Sequence, residues 1–140
     1  MMITTRLSAE IKAGASYFIA VFLVAFILGI IRVLVLVPRL GEVASVSIET
    51  PVILTVSWVA SRWATARFSV ANEVSSRLAM GVVAFALLMI VELAVSTLAF
   101  GRQIEDYVAA FWSPQGVIGL GTQIIFAFIP LIQRYSVRRA

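Results

Sequence analysis

The chain has 140 residues, 61% of them hydrophobic and 13% charged, where a soluble domain has roughly half and a quarter. A water-soluble fold of this size could not hide so much apolar surface, and the excess is expected to face lipid. Without Cys or His, disulfides are excluded, and so are the commonest general base, the commonest metal ligand and the usual haem ligand.

The first apolar run, 13–31, holds no charge, continues past Arg32 through Val37 and meets Pro38. It predicts a helix over about 11–37, longer than a hydrocarbon core is thick. The stretch is too long for a signal-peptide core and no small-x-small cleavage site follows it, so a retained helix is expected. Lys12, the only Lys, lies at its start, which excludes a Schiff base in mid-bundle. The second run, 43–61, contains Glu49 and Pro51; it predicts a helix over 43–66 with Pro51 suited to the first turn. Arg62, Trp63 and Arg67 follow as an interfacial anchor.

The third run, 78–100, carries one acid, Glu92, and predicts a helix over 77–100. Beyond it Ile104, Tyr107, Val108, Phe111 and Trp112 recur at i, i+3, i+4, i+7 and i+8, with Glu105 and Asp106 on the opposite face. That spacing predicts an amphipathic helix over 103–112, closed by Ser113-Pro114, too short to span and lying on the membrane surface. A partner-binding helix is the sharper alternative. The fourth run, 116–132, predicts a helix over 115–134 with Pro130 inside it, where a kink is tolerated in a bundle. The expectation is one all-α domain over 1–140: an integral membrane bundle of four transmembrane helices plus a short interfacial helix before the fourth.

Four spans place the N-terminus, the loop after the second helix and the C-terminus on one side. That side holds Arg6, Lys12, Arg62, Arg67, Arg77, Arg134, Arg138 and Arg139; the other holds Arg32, Arg39 and Arg102. The positive-inside rule then puts both termini in the cytoplasm. The net charge of +4 is accounted for by these flanking residues. No basic patch with interleaved aromatics lies outside the membrane segments, so no nucleic-acid partner is expected.

Ionisable residues inside membrane segments are functional hypotheses by default. Counting along the alternating helices puts Arg32, Glu49, Glu92 and Gln123 at one depth, about 7–12 Å below the outer surface at 1.5 Å per residue. Ala25 and Gly29 lie beside the stripe of Arg32, and Gly119 and Ala127 flank Gln123, small residues that let helices approach in lipid. A buried cluster of Arg32, Glu49 and Glu92 is expected, with Gln123, Ser96 and Thr50 as hydrogen-bonding neighbours. Two acids around one base need not both ionise there. The bland reading is a pair that fixes helix packing; the sharper one is a site for a proton, a cation or an anion.

The stretch Gly29-Ile30-Ile31-Arg32-Val33-Leu34, continuing to Val37-Pro38-Arg39-Leu40-Gly41, and the segment Glu49-Thr50-Pro51 with Trp63 at the far end of its helix resemble a group of uncharacterised small bacterial inner-membrane proteins. The resemblance covers the first half of the chain and implies a four-helix inner-membrane protein, with no role for any residue. The small multidrug resistance transporters share the size and helix count, but their key acid lies in the first helix, where this reading finds Arg32 and no acid. Three functions follow as expectations. The first is a non-enzymatic accessory or structural membrane component with no catalytic residue, metal or cofactor. The second is an oligomeric proton- or cation-coupled transporter, and the third a lipid-acting enzyme. The partners expected are the lipid bilayer and either a second copy or another membrane protein.

Overall fold

A computed structural model describes the backbone of residues 2–139 and the side chains of residues 7–135. The side chains of Arg6, Arg138 and Arg139, which enter the charge count above, lie outside the described residues. The chain forms α1 (Met2–Ile31), a π-helical turn (Arg32–Leu36), α2 (Val37–Leu40), α3 (Glu42–Arg67), α4 (Val74–Ala94), a second π-helical turn (Val95–Ala99), α5 (Ile104–Ala110) and α6 (Pro114–Arg139). Four stretches are long and apolar enough to cross a bilayer: Leu7–Leu40, Glu42–Arg67, Val74–Ala99 and Pro114–Tyr135. The protein is an all-α, multi-pass membrane bundle.

Two prolines behave differently from the sequence expectation. Pro38 does not end the first span. The helix widens just before it, with the Val37 N–H reaching back five residues to the Arg32 carbonyl, and then continues to Leu40. The wider turn makes room for a ring that would collide with the carbonyl four residues earlier in a regular helix. The chain reverses instead at Gly41, whose φ of +83° is open to glycine; α3 begins at the next residue. Pro51 therefore lies well inside α3 rather than in its first turn. In the fourth span Pro130 also lies within the helix, and α6 runs on to Arg139.

Neighbouring helices pack in the ring order α1, α3, α6, α4. Consecutive helices α3 and α4 thus lie across the diagonal, joined by residues 68–73. Phe68 caps α3, and Ser69 takes a left-handed φ of +53°, while the Val70 N–H returns to the Thr65 carbonyl at 3.0 Å. This is a Schellman ending with Ser where Gly is usual. Trp63 packs edge-on to Phe68, and Arg67 lies over the same ring.

The apolar core sits toward the end bearing both termini: Ala13, Tyr17, Phe18 and Val21 of α1 meet Ala60 and Ala64 of α3, Met80 and Ala84 of α4, and Phe126 of α6. Closest approach is at Gly81, where an added Cβ would run into the Ala127 backbone carbonyl. Of the small residues expected to admit neighbours, Ala127 does, at Gly81, but Gly29 and Gly119 do not: a Cβ on Gly29 would meet only Arg32, and one on Gly119 would meet open space. The helices are therefore tightest near the termini. The opposite end, bearing Gly41 and α5, is filled by longer polar side chains.

Candidate functional site

At the α5 end, polar side chains from every span gather in one layer. Arg32, in the π turn after α1, approaches Glu49 of α3 with Nη1 3.4 Å from Oε2. The two side chains are 33% and 14% exposed, and the contact is an ion pair without hydrogen-bond alignment, since Glu49 Oε2 has no hydrogen-bond partner among the described residues. Thr50, the next residue, lies 3.3 Å from Thr122 of α6, hydroxyl to hydroxyl. Gln123 then donates its amide to both oxygens of Glu92 on α4, at 2.8 Å each. Glu92 accepts a third bond from the Tyr107 hydroxyl of α5 at 3.3 Å. Three edges of the ring, α1 with α3, α3 with α6 and α6 with α4, thus carry a polar contact at this level.

The six residues expected to cluster are distributed as follows. Arg32 meets Glu49, Gln123 meets Glu92, and Thr50 meets Thr122. Ser96 is buried on the same helix one turn beyond Glu92, but its hydroxyl has no partner among the described residues. Thr97, its neighbour, bonds the carbonyl of Leu93 four residues back, the usual return for a helical hydroxyl, and Ser96 makes no such bond. Gln123 Oε1 is likewise buried without a partner among the described residues.

Tyr107 was assigned to the apolar face of a surface helix, and it belongs to the polar layer. α5 is shorter than expected, ending at Ala110, and its apolar face is divided. Tyr107 and Phe111 turn toward the bundle, ring edge to ring face at 5.1 Å, while Ile104, Val108 and Trp112 remain exposed. Burial, followed by the negative charge of Glu92 and the hydrogen bond to it, pushes the Tyr107 phenol up to about 12. The turn after α5 closes on Ser113, whose Oγ accepts from the Gly116 N–H at 3.1 Å ahead of Pro114, an N-cap with proline in the first turn.

A second polar group lies at the opposite end and was not foreseen. The Tyr17 hydroxyl, fully buried, donates to the Phe126 carbonyl at 2.6 Å across the diagonal of the ring, and the two rings stack at 4.4 Å. The bond has a sequence cause: Pro130 has no N–H, so the carbonyl four residues before it, that of Phe126, lacks its helical partner. Arg77 donates to the Pro130 carbonyl at 3.3 Å. Gln133 accepts from Ser61 and donates to the Trp58 carbonyl, both at 2.7 Å. The first helix also holds an acid after all: Glu10, near the start of its span, is 7% exposed. The span begins at Leu7, ahead of the start near residue 11 that the charge-free run predicts.

Compared with protein-family models, with curated proteins and with solved structures, the chain matches none.

Proposed function

We propose that the chain is a small multi-pass component of the bacterial inner membrane without catalytic activity of its own, an accessory or structural subunit whose polar layer fixes how its spans pack. The observation that carries this reading is where the two acids are directed. Glu92 is held by Gln123 and Tyr107, and Glu49 faces Arg32. Both are engaged in contacts between helices. Between lipid-facing helices such contacts count for more than apolar burial, because lipid tails are as apolar as Leu. The concentration of Lys and Arg at the end bearing the termini supports a cytoplasmic location for both. The resemblance of the Arg32 and Glu49 segments to small bacterial inner-membrane proteins supports the compartment. A reporter active only in the cytoplasm is expected to give signal when fused after Ala140 and none when fused after Arg102; the reverse pattern contradicts this orientation.

One observation favours a second reading, an oligomeric proton- or cation-coupled transporter. Glu49 pairs with Arg32 while Glu92 is held by neutral donors, and Gln123 Oε1 and Ser96 Oγ are buried in the same layer without partners among the described residues. Purified protein in liposomes under an imposed proton gradient separates the two. The structural reading expects the same proton leak from wild type, Glu49→Gln and Glu92→Gln. A flux that follows the gradient and is lost in either variant would replace it with the transporter.

A further inference from the structure

An open groove of about 630 Å³ lies between α4 with its π turn and the start of α5. Its floor is Ile90, Leu93, Ala94 and Leu98, one face of a helix over a length of about 12 Å at 1.5 Å per residue. Ile90 and Leu98 are among the more exposed apolar side chains of the chain. Its mouth, at the end of the span, is formed by Arg102 and Glu105, both exposed. The groove thus joins a long apolar trough to a pair of opposite charges set where a span meets the headgroup region.

We propose that this groove seats one phospholipid whose headgroup carries both a phosphate and a primary ammonium, with an acyl chain along Ile90–Leu98, the phosphate on Arg102 and the ammonium on Glu105. The order of charges argues for this chemistry. A planar guanidinium presents paired donors that match phosphate oxygens. A carboxylate accepts hydrogen bonds from the N–H groups of an ammonium. A quaternary choline has no N–H to give. A glycerol headgroup carries no positive charge, and its lipid would bring a net negative charge toward Glu105 and the neighbouring Asp106. Asp106 is exposed but does not line the groove. The groove takes in Ile104 and Glu105 at the start of α5, so the lipid would brace α5 against α4 alongside the Tyr107–Glu92 bond. The inference requires that this end of the bundle meet a membrane surface. It does not depend on which compartment lies beyond, nor on what the polar layer does.

Native mass spectrometry of the detergent-purified protein tests it, with phosphatidylethanolamine, phosphatidylcholine and phosphatidylglycerol of identical acyl chains supplied in turn. Wild type is expected to retain one phosphatidylethanolamine about fivefold better than the other two, the scale of one exposed ion pair. Glu105→Gln should erase that preference and Asp106→Asn should keep it. Arg102→Gln should lower retention of all three lipids. Ala94→Phe, which fills the trough without touching either charge, should remove the retained lipid while the melting temperature stays near wild type. Equal retention of the three lipids by wild type overturns the proposal, as does a loss of preference in Asp106→Asn equal to that in Glu105→Gln.

Discussion

Residue by residue, the polar groups of this chain are placed by what its prolines and charges lack. Pro130 leaves the Phe126 carbonyl without a helical donor, and Tyr17 supplies one from across the bundle. An unpaired carbonyl in an apolar interior costs about 1–3 kcal/mol, so the pairing of Pro130 with Tyr17 is one unit, although the two lie far apart in sequence. Glu92 is placed by donors from two directions, and one of them reports on itself. Tyr107 has its phenol raised from 10.0 to about 12. A phenol raised on folding contributes stability that is present below its ordinary value and lost as pH climbs through its folded value. The window here runs from about 10 to about 12. An ultraviolet titration of tyrosinate should therefore contain a transition near 12 that vanishes in Tyr107→Phe. Persistence of that transition in the variant would show that Tyr107 is free of Glu92.

At the scale of elements, helix contact is closest at two glycines, Gly14 of α1 against Met80 and Val83 of α4, and Gly81 of α4 against α6. Gly81 meets the backbone of Ala127, with no flexible side chain between them to yield. Gly81→Ala should cost about 1–3 kcal/mol in detergent melting, the usual range for overpacking. Gly119→Ala, which meets open space, should be neutral or slightly stabilising, because Ala is the better helix former by about 1 kcal/mol. If the two variants melt alike, α4 and α6 do not touch at Gly81. This difference also marks the limit of what the sequence discloses. Hydropathy and length located all four spans, since no water-soluble packing could absorb runs such as 78–100. Counting depth along alternating helices grouped Arg32, Glu49, Glu92 and Gln123, because rise per residue is nearly constant. Depth says nothing about which neighbour a helix turns toward. Gly29 and Gly119 were therefore expected at contacts they do not make, and Tyr107 was read as facing lipid. The π turns at Arg32–Leu36 and Val95–Ala99 were invisible to a fixed period of 3.6, and the first of them carries the helix past Pro38. The need for a donor could have been read, since a mid-helix proline at membrane depth calls for one, but Ser57 and Ser61 lie near the same depth as Tyr17, so depth alone does not choose it.

On the scale of the whole molecule, the two ends of the bundle are held in different ways. Near the termini, apolar side chains interlock and backbones approach closely. Near α5 polar side chains join the spans, through Arg32–Glu49, Thr50–Thr122 and Gln123–Glu92. A ring whose consecutive helices α3 and α4 sit on a diagonal has two antiparallel hairpins laid side by side. The link between the hairpins is the short segment 68–73 at the opposite end. Nothing covalent holds the hairpins together at the α5 end, and the polar layer performs that task. Removing the base alone should leave the Glu49 carboxylate without its partner in a low dielectric, which is worse than removing all three charges. Arg32 is one-third exposed, so its loss is expected to cost about 1–3 kcal/mol rather than the 3–5 kcal/mol of a fully buried pair. The most direct test is the melting of Arg32→Leu beside the triple variant Arg32→Leu, Glu49→Gln, Glu92→Gln in the same detergent. A clear drop for the single change and recovery of most of it in the triple is the predicted result. A single variant that melts like wild type, or a triple no more stable than the single, would contradict the account of the polar layer as the clasp of this end of the bundle.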